Sequence, residues 1–96
     1  MTCTVTKAER PTYIRLVVIA AIQAVSKPNA IVQLATSLGH NGLGHTPVKR
    51  KMYREQIATR LDQRGCRMRT LTPNNFVDPK ISTVEHVAEL VEKDLG

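Results

Sequence analysis

Apolar residues recur along the chain at spacings that predict helices. Between Pro11 and about Ser26, Tyr13, Leu16, Val17, Ala20 and Ala24 are joined by nearly continuous apolar filling, which predicts a helix buried on most sides. Lys27-Pro28 ends it, because a residue before proline is pushed out of the helical region. Ile31, Leu34, Ala35 and Leu38 share one face of a short helix expected over Ala30–Leu38, with Asn29 as its cap and Gly39 as its stop. A glycine-punctuated loop, Gly39–His45, leads to a longer helix. Thr46 suits its N-cap, Pro47 its first position and Gly65 its end. Val48, Met52, Tyr53, Ile57, Ala58 and Leu61 give that helix an apolar face of near-helical period.

Cys66–Leu71 alternates and reads as a short extended segment. Thr72–Pro79 is turn chemistry around one aromatic, and Phe76 with Val77 is expected to plug the core from a single helical turn. Ser82 and Glu85 then have the spacing of a capping box. The helix that follows turns Val84, Val87, Ala88, Val91 and Leu95 inward. The pattern predicts an all-α fold: a small antiparallel bundle of three main helices plus one or two short ones. Residues 1–10 lack periodicity and read as a flexible N-terminal arm, leaving 11–96 as a single helical domain.

Composition refines this picture. Apolar residues make up 42 % of the chain but aromatic ones only 3 %, so the core must be aliphatic. Leu16–Val25, between Arg15 and Lys27, falls far short of the ~20 apolar residues needed to span a bilayer, and no membrane partner is expected. Cys3 and Cys66 are the only cysteines. With no signal peptide ahead of them, two reduced thiols in a cytoplasmic protein are expected. The net charge is +6, and Lys49–Arg69 accounts for all of it, with eight basic residues against Glu55 and Asp62. Residues 78–96 sum to −3, so the basic middle and acidic end can neutralise each other. The excess must face solvent, nucleic acid, an acidic protein or an anionic ligand.

Leu34…Leu38-Gly39-His40-Asn41-Gly42-Leu43, Leu71-Thr72-Pro73…Phe76 and Ile81-Ser82-Thr83-Val84-Glu85-His86-Val87-Ala88 occur in an order that resembles the acyl carrier protein family. That resemblance, spanning roughly Tyr13 to Leu95, implies a carrier-like helical bundle. It departs from the family in three respects. Gly42 stands where the family's serine carries phosphopantetheine, so no such cofactor is expected there; Ser37, in a second Ser-Leu pair, is the alternative attachment hydroxyl. Gly44–Lys51 looks like an insertion. The helix that is acidic in the family is basic here.

Other chemistry is thinly represented. His40 and His45 flank the glycine loop without a recognisable zinc spacing, and both read as exposed loop residues. His86 reads as a surface residue. Gly39–Gly44 lacks a P-loop ending and reads as a flexible connector, with phosphate cradling as the alternative. Cys66, among Arg64, Arg67 and Arg69, has no partner placed by sequence to complete a nucleophilic site. No catalytic or metal-binding residue is assigned, and an enzyme is not expected. The strongest feature is the basic face: Lys49, Arg50, Arg54, Arg60, Arg64, Arg67 and Arg69. The expected function is a non-enzymatic, carrier-like interaction module that docks an acidic protein or anionic ligand through this helix. A small nucleic-acid-binding protein using the 47–69 face is the alternative.

Overall fold

A computed structural model of the chain describes residues 3–95. It contains helix α1 (Arg10–Ala24), helix α2 (Pro47–Asp62), a 3-10 turn (Pro73–Val77) and helix α3 (Val84–Leu95). Helix α1 packs against both α2 and α3, and the 3-10 turn packs against α2. The all-α class expected from the pattern is thus observed, with no strand ladder among the described residues and one isolated antiparallel bridge, Ser37 with Thr83.

The central position of α1 explains its composition. Ile14, Val17, Val18, Ala21 and Ile22 are buried, because a helix covered by two neighbours needs apolar groups on more than one side. Leu16 nevertheless stays 63 % exposed. One turn upstream, Thr6 and Glu9 exchange hydrogen bonds in the manner of a capping box, Thr6 Oγ1 donating to Glu9 Oε1 at 2.8 Å and Glu9 N–H donating to Thr6 Oγ1 at 3.3 Å. Helix α2 begins and ends as its local signals require. Thr46 accepts the Lys49 N–H at 3.3 Å, and Gly65 takes φ +73° beyond the C-terminus. Tyr53, Ile57 and Leu61 form its buried stripe, whereas Val48 and Met52, expected inside, are 72 % and 47 % exposed. Phe76 is fully buried from the 3-10 turn, as expected.

The short helix expected at Ala30–Leu38 is absent. Thr36 Oγ1 accepts the Gln33 N–H at 2.9 Å, a local bond that competes with helix formation. Farther along, the Leu34 and Thr36 carbonyls accept the Glu85 and Val84 N–H groups at 2.9 and 3.1 Å. Two first-turn donors of α3, which have no partner within their own helix, are thus satisfied by this segment. The start of α3 differs accordingly from the expected Ser82–Glu85 capping box. Thr83 Oγ1 accepts the His86 N–H at 3.3 Å, and Ser82 N–H donates to His86 Nδ1 at 3.2 Å. Glu85 turns instead to Arg15, with Nη2 to Oε1 at 2.5 Å, and Arg15 also reaches Glu92 at 3.5 Å. These pairs tie α1 to α3.

Cys66–Leu71 forms no strand, although its alternation survives as burial of Cys66, Met68 and Leu71. Cys3 and Cys66 are joined as a disulfide, which corrects the expectation of two reduced thiols. Within the stretch read as an arm, Val5 is 3 % exposed and Thr4 N–H donates to the Arg64 carbonyl at 3.0 Å; Met1 and Thr2 lie outside the described residues. The N-terminal segment is thereby joined to the end of α2.

Candidate functional site

The eight basic residues between Lys49 and Arg69 do not form one stripe. Tyr53, Ile57 and Leu61 define the buried side of α2, helical spacing sets Arg50, Arg54 and Arg60 along its margins, and Arg64 follows in the turn beyond its end. There each guanidinium or its neighbours find acceptors. Arg50 donates to the Ile81 carbonyl and, at 3.3 Å, to that of Asp78. Arg54 Nε donates to the Leu71 carbonyl at 2.9 Å. Arg60 donates to the Gln56 carbonyl and side chain at 3.1 and 2.7 Å. Arg64 donates to Thr4 Oγ1 at 2.9 Å and stands over the Tyr13 ring at 5.4 Å. Arginine suits these margins because its planar fork can donate to several carbonyls at once.

Lys49 and Lys51 remain on the outward side of α2, beside the exposed Val48 and Met52. Arg67 and Arg69 are exposed beyond the helix; Arg67 faces Asp62 at 3.6 Å. The backbone N–H of Arg69, with that of Thr70, is held by the Asp94 carboxylate at 2.6 and 3.1 Å. Burial pushes the Asp94 carboxyl up, but the hydrogen bonds from Thr70 and Arg69 prevail and hold it below its usual range.

A second feature, an open cleft of about 610 Å3, lies between the Ser26–Ile31 turn, the glycine loop and the first turn of α2. His45 lines it and was expected to be an exposed loop histidine; it is 9 % exposed. Its Nδ1 meets the Tyr53 hydroxyl, and its Nε2 lies 3.0 Å from Ser26 Oγ. Because Ser26 Oγ donates to the Ile22 carbonyl at 2.6 Å, it accepts from Nε2–H, and in the neutral imidazole Nδ1 is then the acceptor for the Tyr53 hydroxyl. Burial, reinforced by the nearby Lys49 and Arg50 charges, holds His45 below the ordinary histidine range. Burial also pushes the Tyr53 hydroxyl well up. The chain Tyr53–His45–Ser26–Ile22 therefore ties α2, the glycine loop and the end of α1 together without a buried charge.

The glycine loop is built around Ser37. Its carbonyl accepts the Leu43 N–H at 2.9 Å, its hydroxyl accepts the Gly39 N–H at 3.3 Å, and the Leu38 carbonyl accepts the His45 N–H at 2.8 Å. A Cβ at Gly42 would stand 2.9 Å from the Ser37 carbonyl carbon and Cβ, and closer still to the carbonyl oxygen. Gly42 therefore fills a position with no room for any side chain. Gly44 takes φ +65°, a conformation that favours glycine. Ser37 itself lies in the bridged segment opposite Thr83, not in a helix, and is partly buried.

His40 is exposed in the loop, and His86 is half-buried at the start of α3. Among the described residues, no three His, Cys, Asp or Glu side chains converge in a way that would hold a metal ion. No helix among them is long and apolar enough to cross a membrane. Sequence reasoning missed Lys27 of the cleft, read only as part of a helix stop, and the buried Tyr53 behind it, read only as core although its hydroxyl meets His45. The His45–Tyr53 spacing across a helix N-terminus carries no recognisable local signal. Comparison with protein-family models, curated proteins and solved structures yields no match for this chain.

Proposed function

We propose that this protein is a non-enzymatic interaction module of carrier-like helical design, without a phosphopantetheine arm, that docks an acidic protein surface through the N-terminal half of α2. The observation that carries this reading is the juxtaposition of exposed Val48 and Met52 with Lys49 and Lys51 on one outward face. Apolar groups left exposed among cations suit a partner carrying carboxylates around an apolar contact. The engagement of Arg50, Arg54, Arg60 and Arg64 with the protein's own acceptors favours this narrow docking face over an extended phosphate-tracking stripe, which would need those arginines turned outward. The resemblance to acyl carrier proteins supplies the carrier-like element of the proposal, and the crowding at Gly42 supports a scaffold that works without the usual arm. The Cys3–Cys66 bond fits an oxidising compartment better than the reducing cytoplasm first expected.

The test is binding to an immobilised acidic amphipathic peptide and to a duplex DNA of equal charge. Lys51→Glu and Met52→Asp should each weaken peptide binding by roughly tenfold, about 1.4 kcal/mol. Tighter binding to DNA, or peptide binding indifferent to both changes, would remove the proposal.

A further inference from the structure

We infer that the cleft between the Ser26–Ile31 turn and the glycine loop binds a small phosphate ester with an apolar body. Lys27 and Lys49 approach it from different parts of the chain, and no carboxylate lines it. Two ammonium groups match the ≈ −1.5 to −2 charge of a phosphate monoester. Both ring nitrogens of His45 are engaged by Tyr53 and Ser26, so the two lysines are the cleft's charged donors. The cleft's volume of about 610 Å3 lies within the ≈ 300–1,000 Å3 range of small-molecule sites. One wall is apolar as well as polar: Ile31, 75 % exposed, lies on the lining with Leu43. An isoleucine that folding leaves in water beside two lysines gives the apolar portion of an ester a surface to cover.

The cleft is built before any ligand arrives. Gly42 N–H and Gly44 N–H both donate to the Gly39 carbonyl, at 2.9 and 2.8 Å. The Tyr53–His45–Ser26 chain anchors the end of the loop to both flanking helices. Rigid walls lower the ordering cost of binding. Lys49 is shared with the docking face, but Lys27 and Ile31 lie outside α2, so changes at those two residues test this site separately from that face.

Phenyl phosphate is the probe, titrated into the isotopically labelled full chain and followed through backbone amide resonances. Saturable shifts are expected at Gly42, Gly44 and Lys49. Inorganic phosphate should bind the same place more weakly, and phenol should not saturate it. Lys27→Gln and Lys49→Gln should each weaken phenyl phosphate by roughly tenfold. Ile31→Ser should weaken phenyl phosphate while leaving inorganic phosphate unchanged, and Met52→Asp should affect neither. The inference is overturned if no saturable shift appears at millimolar phenyl phosphate, if the shifts map elsewhere, or if they are indifferent to Lys27→Gln. Amide dispersion in each spectrum reports directly that the variant is folded.

Discussion

Removing the Cys3–Cys66 bond is the perturbation whose consequence can be worked most directly. The bond closes a loop between cysteines separated by 63 positions, so it forbids most of the conformations open to an unfolded chain of this length. On the chain-entropy relation a loop of this size stabilises the folded state by about 4 kcal/mol. For a domain of this size that corresponds to roughly 15–30 °C in melting temperature. Cys3→Ser is the better variant, because Cys3 is partly exposed while Cys66 is 1 % exposed, and a change at Cys66 would add a packing defect. Thermal unfolding by circular dichroism, with and without a phosphine reductant, gives the comparison. The untreated protein should melt highest, the reduced protein and Cys3→Ser should melt together, and the variant should ignore reductant. Two alkylated thiols in the untreated protein by intact mass, or melting temperatures unchanged by reduction, would refute the bond and the compartment inferred from it.

Several other changes test particular contacts. Gly42→Ser places a Cβ against the Ser37 backbone and should destabilise the fold by about 2 kcal/mol; an unaltered urea midpoint would mean that the loop yields easily. Tyr53→Phe leaves His45 Nδ1 buried without its donor and should cost about 1–2 kcal/mol, measured in the same way. Because His45 titrates lower in the folded state than the ordinary value near 6.5, the unfolded chain takes up a proton first as pH falls. The stability from its neutral network is therefore full above the unfolded value and declines as pH drops toward the folded one. Urea unfolding at a series of pH values should show this decline in the native sequence and a flatter profile in His45→Gln; identical profiles would show that another group is responsible. Arg15→Met breaks two partly exposed ion pairs to α3 and should cost less than about 1 kcal/mol; a larger loss of melting temperature would show that the pairs matter beyond their exposure.

The candidate site was legible only in fragments. Lys49 stood out within the basic run, and Gly42 stood out within the glycine-punctuated loop, but neither the cleft nor its use of Lys27 follows from local spacing. His45 illustrates the difficulty. Between a glycine loop and a helix cap it has the local context of an exposed residue, and only the meeting of Ser26 and Tyr53 around it produces burial. The basic run is likewise only partly legible, because counting charges along a helix does not reveal which of them meet the Thr4 hydroxyl or the Leu71 and Ile81 carbonyls.

Local chemistry by itself determined the three main helices, because each carries its own period and its own boundary: Pro11 near the start of α1, Thr46 and Gly65 around α2, and the Val84–Leu95 stripe in α3. It also determined that Phe76 would be buried from a short turn. Tertiary structure decided the form of residues 30–38, where a helical spacing of apolar groups yields to long-range bonds from Leu34 and Thr36 to α3. It decided the pairing of Cys3 with Cys66 and the neutral burial of His45 as well. The physical reason is common to all three: a helix satisfies its backbone within itself, whereas donors at helix ends, side chains in loops and distant cysteines are satisfied only by whatever the folded chain brings beside them.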